Sequence, residues 1–331
     1  MRVDPSKAIP DYLLYAYLSP EFQEVIRQRT IHGSTVDRIP LIEFGSFPIS
    51  VPPLNMQSEV VEILRALDDR ITLLRETNAT LEAIAQALFK SWFVDFDPVR
   101  AKQAGRAPEG LDEATAALFP DSFEESELGL VPRGWPVGVL GDIAQTARRQ
   151  LQVSELHAGL NYVGLEHIPR KCLSLSEWGN AESLESAKAS FCKGDILFGK
   201  LRPYFHKVVI APFDGVCSTD ILVCQPTEAA YFGVVAMHLF SVALIDYADR
   251  LSNGAKMPRV NWKDLAAFPI CVPPAALAAA FSQTIEPLIS RLTANTQQAQ
   301  TLATLRDTLL PRLISGQLRL PEADTAVAAA L

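Results

Sequence analysis

The chain has 331 residues, which is enough for about two domains. Its hydrophobic fraction of 48% can fill packed cores. Five cysteines without a Cys-x-x-Cys pair favour buried thiols in a reducing cytosol over disulfides or a zinc site. Because the first residues are polar and include Asp4 and Pro5, we expect no signal peptide and a cytoplasmic protein.

Charge is distributed unevenly along the chain. Residues 133–275 contain 14 Lys and Arg against 13 Asp and Glu, whereas the whole chain has a net charge of −8. Phosphate binding needs a local basic face rather than a positive total. A nucleic-acid partner for this segment is therefore not excluded by the overall acidity.

Seven residues occur twice with one change, as F-P-I-S-V-P-P at 47–53 and F-P-I-C-V-P-P at 268–274. Further pairs at the same offset of 221 are Gly33 and Gly254, Arg38 and Arg259, Leu64 and Ile285, and Leu81 and Leu302. A repeat this long is a domain with its helix rather than a solenoid module. The offset aligns Met1 with Leu222. We therefore expect residues 1–54 to be the C-terminal remnant of a unit that occurs complete later in the chain.

Apolar residues recur at heptad spacing after the first heptapeptide. The residues expected in this seam are Leu64, Leu67, Ile71, Leu74, Leu81 and Leu88. An a/d pattern sustained over about four heptads predicts a long helix over 55–94. Asn78 occupies one a position, where a polar residue commonly fixes the register of a helix pair.

A second long helix is predicted over 275–316, followed by a tail at 317–331. Its expected seam residues are Ile285, Leu288, Leu292, Leu302 and Leu309. Pro287 should kink or restart this helix because proline cannot donate to the preceding turn, and Pro311 and Gly316 should mark its end. Each helix could be an ordinary amphipathic helix on a globular core, but two matched heptad patterns favour mutual pairing as a coiled coil, parallel or antiparallel.

Between the helices we expect a linker at 95–133 and a complete α+β domain at 134–274. Short strand-like runs lie at 137–140, 162–165, 195–198, 207–211 and 221–224, and turn signals separate them. Helical stretches at about 229–250 and 261–267 complete the domain. The predicted fold class is thus α+β, with a domain of short strands and helices and two long paired helices.

Signals for other functions are weak. Residues 194–200 satisfy the first seven positions of a phosphate-binding loop, but Leu201 replaces the Ser or Thr that would ligate magnesium. The histidines are scattered without a ligand pattern, so we expect no metal, no cofactor and no catalytic centre. The apolar stretch 229–248 is interrupted by His238, Ser241 and Asp246, which favours a buried helix over a membrane span.

Two polar clusters could instead bind nucleic acid. The first cluster contains Lys200, Arg202, Tyr204, His206 and Lys207, directly after a predicted strand. The second contains Asn253, Lys256, Arg259, Asn261 and Lys263, in the loop before the second heptapeptide. Lys and Arg supply phosphate contacts and guanine readout, and Tyr and His donate hydrogen bonds. Solvated surface charge is the alternative interpretation of both clusters.

The chain resembles the specificity subunits of type I restriction–modification systems. The resemblance is carried by K-S-W-F-V-D-F-D-P-V (90–99), S-E-L-G-L-V-P-R-G-W (126–135), G-D-I-L-F-G-K-L-R-P-Y (194–204), S-T-D-I-L-V (218–223) and L-L-P-R-L-I-S-G-Q-L-R (309–319). It implies target-recognition domains held apart by two conserved helices, and no catalysis by the subunit itself. The implied partners are double-stranded DNA, methyltransferase subunits and a restriction or motor subunit.

The N-terminus departs from the family's pattern, because residues 1–54 correspond only to the end of a first recognition domain. A monomer with a folded helix pair is our main expectation, with self-association as the alternative. Two other functions remain open. One is a half-subunit that acts as a coiled-coil assembly module without DNA recognition, and the other is an autonomous enzyme.

Overall fold

The computed structural model describes residues 3–31, 33, 36–39, 42–147, 149–182, 184–252 and 257–330. The chain divides into two compact units. Unit 1 contains residues 1–76 and 297–331, and unit 2 contains residues 77–296. Each unit therefore contains part of the two long helices.

The described helices are, in chain order, α1 (Pro10–Leu18), α2 (Pro20–Arg29), α3 (Leu54–Phe93), α4 (Asp97–Gln103), α5 (Glu113–Ala117), α6 (Leu140–Ile143), α7 (Phe232–Phe240), α8 (Val242–Leu251), α9 (Trp262–Ala266), α10 (Ala275–Ile314) and α11 (Leu320–Ala328). Helices α3 and α10 each have 40 residues. Their first residues, and likewise their last, lie 221 positions apart, which is the offset of the heptapeptide.

The described strands are β1 (Phe123–Ser126), β2 (Gly129–Pro132), β3 (Val137–Val139), β4 (Ala144–Thr146), β5 (Gln150–Leu151), β6 (Asn161–Val163), β7 (Gly179–Asn180), β8 (Lys188–Phe191), β9 (Ile196–Gly199), β10 (Val208–Ile210), β11 (Gly215–Cys217), β12 (Ile221–Pro226) and β13 (Pro269–Cys271). One sheet has the order β10-β9-β12-β4 and is antiparallel throughout. Another has the order β5-β8-β11-β6-β7, in which β11 and β6 are parallel. Strands β1 with β2 and β13 with β3 form two further antiparallel pairs.

Strand β9 shows why the four-stranded sheet is apolar on both faces. Side chains of a strand alternate between the two faces. Ile196 and Phe198 pack into a core that also contains α7, whereas Leu197 packs into a separate core with residues of the five-stranded sheet, among them Val163. The run 194–200 is therefore built around a buried central strand and not a phosphate-binding loop.

Unit 1 has a helical core. Tyr12 of α1, Leu64 and Leu67 of α3 and Leu302 of α10 are all fully buried in it. Asp68 links these helices, because it accepts hydrogen bonds from Tyr15 Oη at 2.7 Å and Arg306 Nη1 at 2.7 Å. The predicted seam of residues 64–74 is thus a packed interface.

In unit 2, α3 and α10 run antiparallel. Asn78 lies against Asn295, and Phe93, fifteen residues further along α3, lies against Phe281 with ring centroids 4.9 Å apart. Asn295 Nδ2 donates to Asn78 Oδ1 at 2.9 Å, and Asn78 Nδ2 donates to the carbonyl of Leu292 at 3.1 Å. This buried polar pair fits the register role predicted for Asn78. The predicted helix pairing is confirmed, and its direction is antiparallel.

The restart expected at Pro287 and the helix end expected at Pro311 are wrong. Helix α10 continues through Pro287 without a break and ends at Ile314, beyond Pro311, and Gly316, also expected to mark the end, follows it at φ +73°. Packing of the α10 seam outweighs the penalty of about 3 kcal/mol for an interior proline. The stretch expected as a linker, 95–133, contains α4, α5 and the β1–β2 pair, because aromatic residues such as Phe119 anchor it in the core of unit 2.

The helix predicted at 229–250 is instead two helices, with Ser241 between α7 and α8. Ser241 Oγ accepts from the N–H of Leu244 at 3.1 Å, as Ser19 Oγ accepts from the N–H of Phe22 at 3.3 Å at the start of α2. A serine cap satisfies an N–H group that has no partner within the helix. Helices α1 and α2 thus match α7 and α8 in their capping as well as in their order.

His238 lies in α7 with its ring against Phe89, at a centroid distance of 4.8 Å. Burial lowers its pKa to about 3. The imidazole is therefore neutral when folded, whereas an exposed histidine binds a proton below about pH 6.5. The contribution of the neutral His238 to the unfolding free energy is fully present above pH 6.5 and is lost progressively as the pH falls from there towards 3.

We expect the unfolding free energy to fall between pH 6.5 and 5, with a contribution from His238 of up to about 1.4 kcal/mol per pH unit. Urea unfolding across this range measures the slope. A His238→Leu variant should have a shallower slope than the wild type. Identical slopes for wild type and His238→Leu would contradict the buried neutral imidazole.

Candidate nucleic-acid interface

The loop after β9 and the loop before α9 lie side by side. Leu201 and Arg259 form an isolated antiparallel bridge, and the N–H of Arg202 donates to the carbonyl of Pro258 at 2.8 Å. The N–H of Val260 donates in turn to the carbonyl of Lys200 at 3.1 Å. The structure thus brings the first predicted cluster together with Arg259 of the second, while Asn253 and Lys256 lie outside the described residues.

The loop after β9 has a sharply turned backbone. Arg202 and His206 have φ values of +52° and +51°, and a single 3-10 turn, Pro203–Phe205, lies between them. Non-glycine residues in the left-handed region persist only where surrounding contacts hold them. The turn leaves the side chain of Tyr204 49% exposed. Its ring packs on Phe205, with centroids 4.7 Å apart.

Two cations that sequence reasoning missed join this site. The guanidinium of Arg170 lies over the Phe205 ring, 4.0 Å from its centroid, and the N–H of Lys171 donates to the carbonyl of His206 at 2.8 Å. Both side chains are exposed. They lie about thirty residues before the first cluster and form no charge run there, so only the fold brings them to it. We call Arg170, Lys171, Lys200, Arg202, Lys207 and Arg259 the basic edge.

Charges within the basic edge are partly paired. Arg259 donates from Nε and Nη2 to Asp220, at 2.9 and 3.2 Å. These hydrogen bonds lower the pKa of Asp220, and the charges of Arg259 and Lys200 add to the effect. Lys207 donates to the carbonyl of Leu165, and partial burial followed by the charge of Arg170 lowers the pKa of Lys207. Arg259 and Lys207 are therefore partly committed to the protein itself.

His206 is buried, although the sequence suggested it as a hydrogen-bond donor to nucleic acid. Its side chain is only 5% exposed, its Nε2 lies 2.9 Å from the carbonyl oxygen of Phe240, and its ring packs on Phe240. Burial lowers the pKa of His206. The ring contacts the end of α7, and its burial leaves little of it accessible to a ligand.

The predicted seam residues fall into both units. Unit 1 buries Leu64, Leu67, Ile71, Leu74, Leu302 and Leu309, and unit 2 buries Ile285 and Leu292. The margin of the unit 2 core contains Leu81, Leu88 and Leu288.

Among the described residues, no group of three His, Cys, Asp or Glu side chains could hold a metal. No single described helix is long and apolar enough to cross a membrane, and only the bent segment that includes α7 and α8 passes on length and composition.

Comparison with known proteins identifies the class. A family model described as the type I restriction modification DNA specificity domain matches residues 2–83. The MjaIX specificity subunit of Methanocaldococcus jannaschii is 25% identical over 325 residues, covering 95% of this chain and 70% of that protein. The HindI specificity subunit of Haemophilus influenzae is 25% identical over 392 residues, covering 96% and 80%. The crystal structure of a type I S subunit from M. genitalium aligns with 94% of this chain and 74% of that chain, at 17% identity and a TM-score of 0.49.

The family model and the two curated proteins all describe DNA-specificity proteins of type I restriction systems. The chain is similar to the specificity subunits of type I restriction enzymes over nearly its whole length. The expectation drawn from sequence resemblance is confirmed in this respect.

Proposed function

We propose that residues 134–274 recognise double-stranded DNA through the basic edge. The observation that carries the proposal is the bridge between Leu201 and Arg259, which joins two cationic loops into one surface. Arg170 and Lys171 extend that surface with two exposed cations. Cations that converge on one face supply phosphate contacts, which fix the register of a protein on a duplex, whereas base edges supply the specificity.

We assign different roles to members of the basic edge. Arg170, Lys171, Lys200 and Arg202 contact DNA, and Tyr204 lies beside them as an exposed hydrogen-bond donor. Arg259 orients the two loops through Asp220, and His206 anchors the first loop. The long helices form the platform for the methyltransferase and restriction subunits. By the offset of 221, the N-terminal residues 1–54 correspond to residues 222–275 of the later unit.

The DNA site can be tested with two alanine variants. We expect Lys200→Ala and Arg202→Ala each to weaken binding to the cognate duplex, by about 1–3 kcal/mol at one base pair if the side chain reads a base. If it contacts a phosphate, binding should weaken evenly across sequences and the salt slope should fall by about one. Fluorescence titration at several salt concentrations distinguishes these cases, with a duplex whose site is found by sequencing methylated DNA in a host that carries the gene and its partners.

Lys193 provides a matched control. It is exposed and precedes β9, whereas Lys200 follows the same strand, so the two lysines lie at opposite ends of β9. Lys193→Ala should therefore leave affinity and salt slope unchanged. If Lys200→Ala and Arg202→Ala behave like Lys193→Ala, the basic edge is ordinary solvated surface. The chain would then be better described as an assembly module.

A further inference from the structure

A short segment connects the basic edge with the interior of unit 2. We call residues 170–174 the strap. At one end of the strap, Arg170 lies over Phe205 and the N–H of Lys171 bonds to the carbonyl of His206. Lys171 has a φ of +52°, a left-handed conformation that must be held from outside the residue. The exposed side chains of Arg170 and Lys171 thus extend from a backbone whose conformation depends on its contacts with Phe205 and His206.

The other end of the strap is buried. Leu173 is 2% exposed, and its carbonyl accepts from the N–H of Ile210 at 2.9 Å, at the end of β10. Ser174 forms an isolated parallel bridge with Ile210. These contacts hold the carbonyl side of Leu173 against the four-stranded sheet.

The N–H of Leu173 has its partner on α3. It donates to Oε1 of Glu82 at 2.6 Å, and Glu82 is only 7% exposed. Burial raises the pKa of Glu82, and it also raises the pKa of the neighbouring Cys172 thiol, to about 11. A buried carboxyl group is rare unless it is paired or hydrogen-bonded. Here it satisfies a buried backbone N–H that would otherwise have no partner.

We propose that Glu82 is a positioning residue for DNA recognition, which fixes the strap and thereby the orientation of Arg170 and Lys171 on the basic edge. The inference rests on the proposed function, because it requires that the basic edge contacts DNA. Glu82 acts through two hydrogen bonds. Its side chain accepts from the N–H of Leu173, and the N–H of Lys171, two residues earlier, donates to the carbonyl of His206. It also couples helix α3 to the DNA-contacting loop within unit 2.

Substitutions at Glu82 separate this role from simple packing. Glu82→Ala removes the acceptor of the Leu173 N–H, whereas Glu82→Gln keeps a carbonyl oxygen at the same reach. With the full chain and the cognate duplex, we expect Glu82→Ala to weaken binding roughly tenfold and to lower the salt slope by about one, as Arg170→Ala should. Glu82→Gln should restore both values. Amide hydrogen exchange should accelerate at Leu173 and Lys171 in the alanine variant only.

Two controls make the outcome decisive. Leu81→Ala removes apolar contact from the neighbouring position of α3 without touching the strap, so it should lower the unfolding midpoint but leave affinity unchanged. The double variant Glu82→Ala with Arg170→Ala should bind no more weakly than the worse single variant, because non-additivity is expected when one residue acts through the other. If Glu82→Ala binds DNA as wild type does while Arg170→Ala binds weakly, the positioning role is overturned and the proposed function stands. If neither Arg170→Ala nor Lys200→Ala affects binding, the proposed function itself fails.

Discussion

Replacing Trp92 with alanine is expected to destabilise unit 2 by about 3–5 kcal/mol, the usual range for removing a large buried aromatic side chain. Trp92 is 3% exposed near the C-terminal end of α3. Its ring lies 5.3 Å from Phe119 and 5.4 Å from Phe281, measured between centroids. The variant would leave a cavity where α3, α10 and the segment before β1 meet. Urea unfolding followed by tryptophan fluorescence and circular dichroism measures the loss.

Trp178 offers a control of identical chemistry. Its side chain is 41% exposed and contacts Phe213, with centroids 4.8 Å apart. Because much of this ring already faces solvent, we expect Trp178→Ala to cost clearly less than Trp92→Ala. Equal losses for the two variants would mean that the aromatic cluster around Trp92 does not stabilise the fold as described.

Leu74→Ala should destabilise the helix pair of unit 1 by about 2–5 kcal/mol. Leu74 is 4% exposed and belongs to the same core as Leu67 and Leu302. Its neighbour Leu73 is 51% exposed, so Leu73→Ala removes the same atoms from a position outside this core. We expect Leu73→Ala and Arg75→Ala to change stability by no more than about 0.5 kcal/mol. Thermal and urea unfolding of the three variants provide the comparison.

The a/d seam also predicts a graded response along α3. Leu81, a sequence-predicted seam residue, is only partly buried in unit 2 and should lose less stability than Leu74. Arg70 is a poor surface control, because its Nε is buried without a hydrogen-bond partner in the described structure. Similar losses at Leu73, Leu74 and Arg75 would contradict a one-sided seam.

The long helices were predictable because a heptad pattern depends on local spacing alone. The predicted first helix at 55–94 agrees with α3 to within one residue at each end. Pro287 misled the prediction, because the sequence does not show that neighbouring turns of α10 are packed on both sides of it. Local propensity is a weak prior where tertiary packing competes with it.

The repeated heptapeptide shows how far a sequence can fall short of specifying secondary structure. Residues 269–271 of the second copy form β13, which pairs with β3, whereas residues 47–53 of the first copy lie in no strand. The difference comes from the partner, because the second copy has β3 at 137–139 to pair with. A strand needs another strand, and a nearly identical sequence cannot provide it alone.

The candidate site was predictable in part, for a related reason. Lys200, Arg202 and Tyr204 lie together in the sequence, so their clustering needed no tertiary information. Arg170 and Lys171 belong to the same surface only because the strap returns to β10, and a hydrogen bond between distant backbones leaves no trace in residue order. Similarly, the burial of His206 depends on the end of α7, thirty-four residues away.

The pairing of α3 with α10 has a consequence for the order of folding. The hydrogen bond between Asn78 and Asn295 joins residues 217 positions apart, so it closes only after the whole intervening domain has left the ribosome. At a synthesis rate of roughly 5–20 residues per second, the apolar stripe of α3 then waits on the order of ten seconds or more for its partner. Contacts of such long range slow folding and leave a hydrophobic helix open to aggregation in the meantime. We therefore expect the helix pair to be the last part of unit 2 to close.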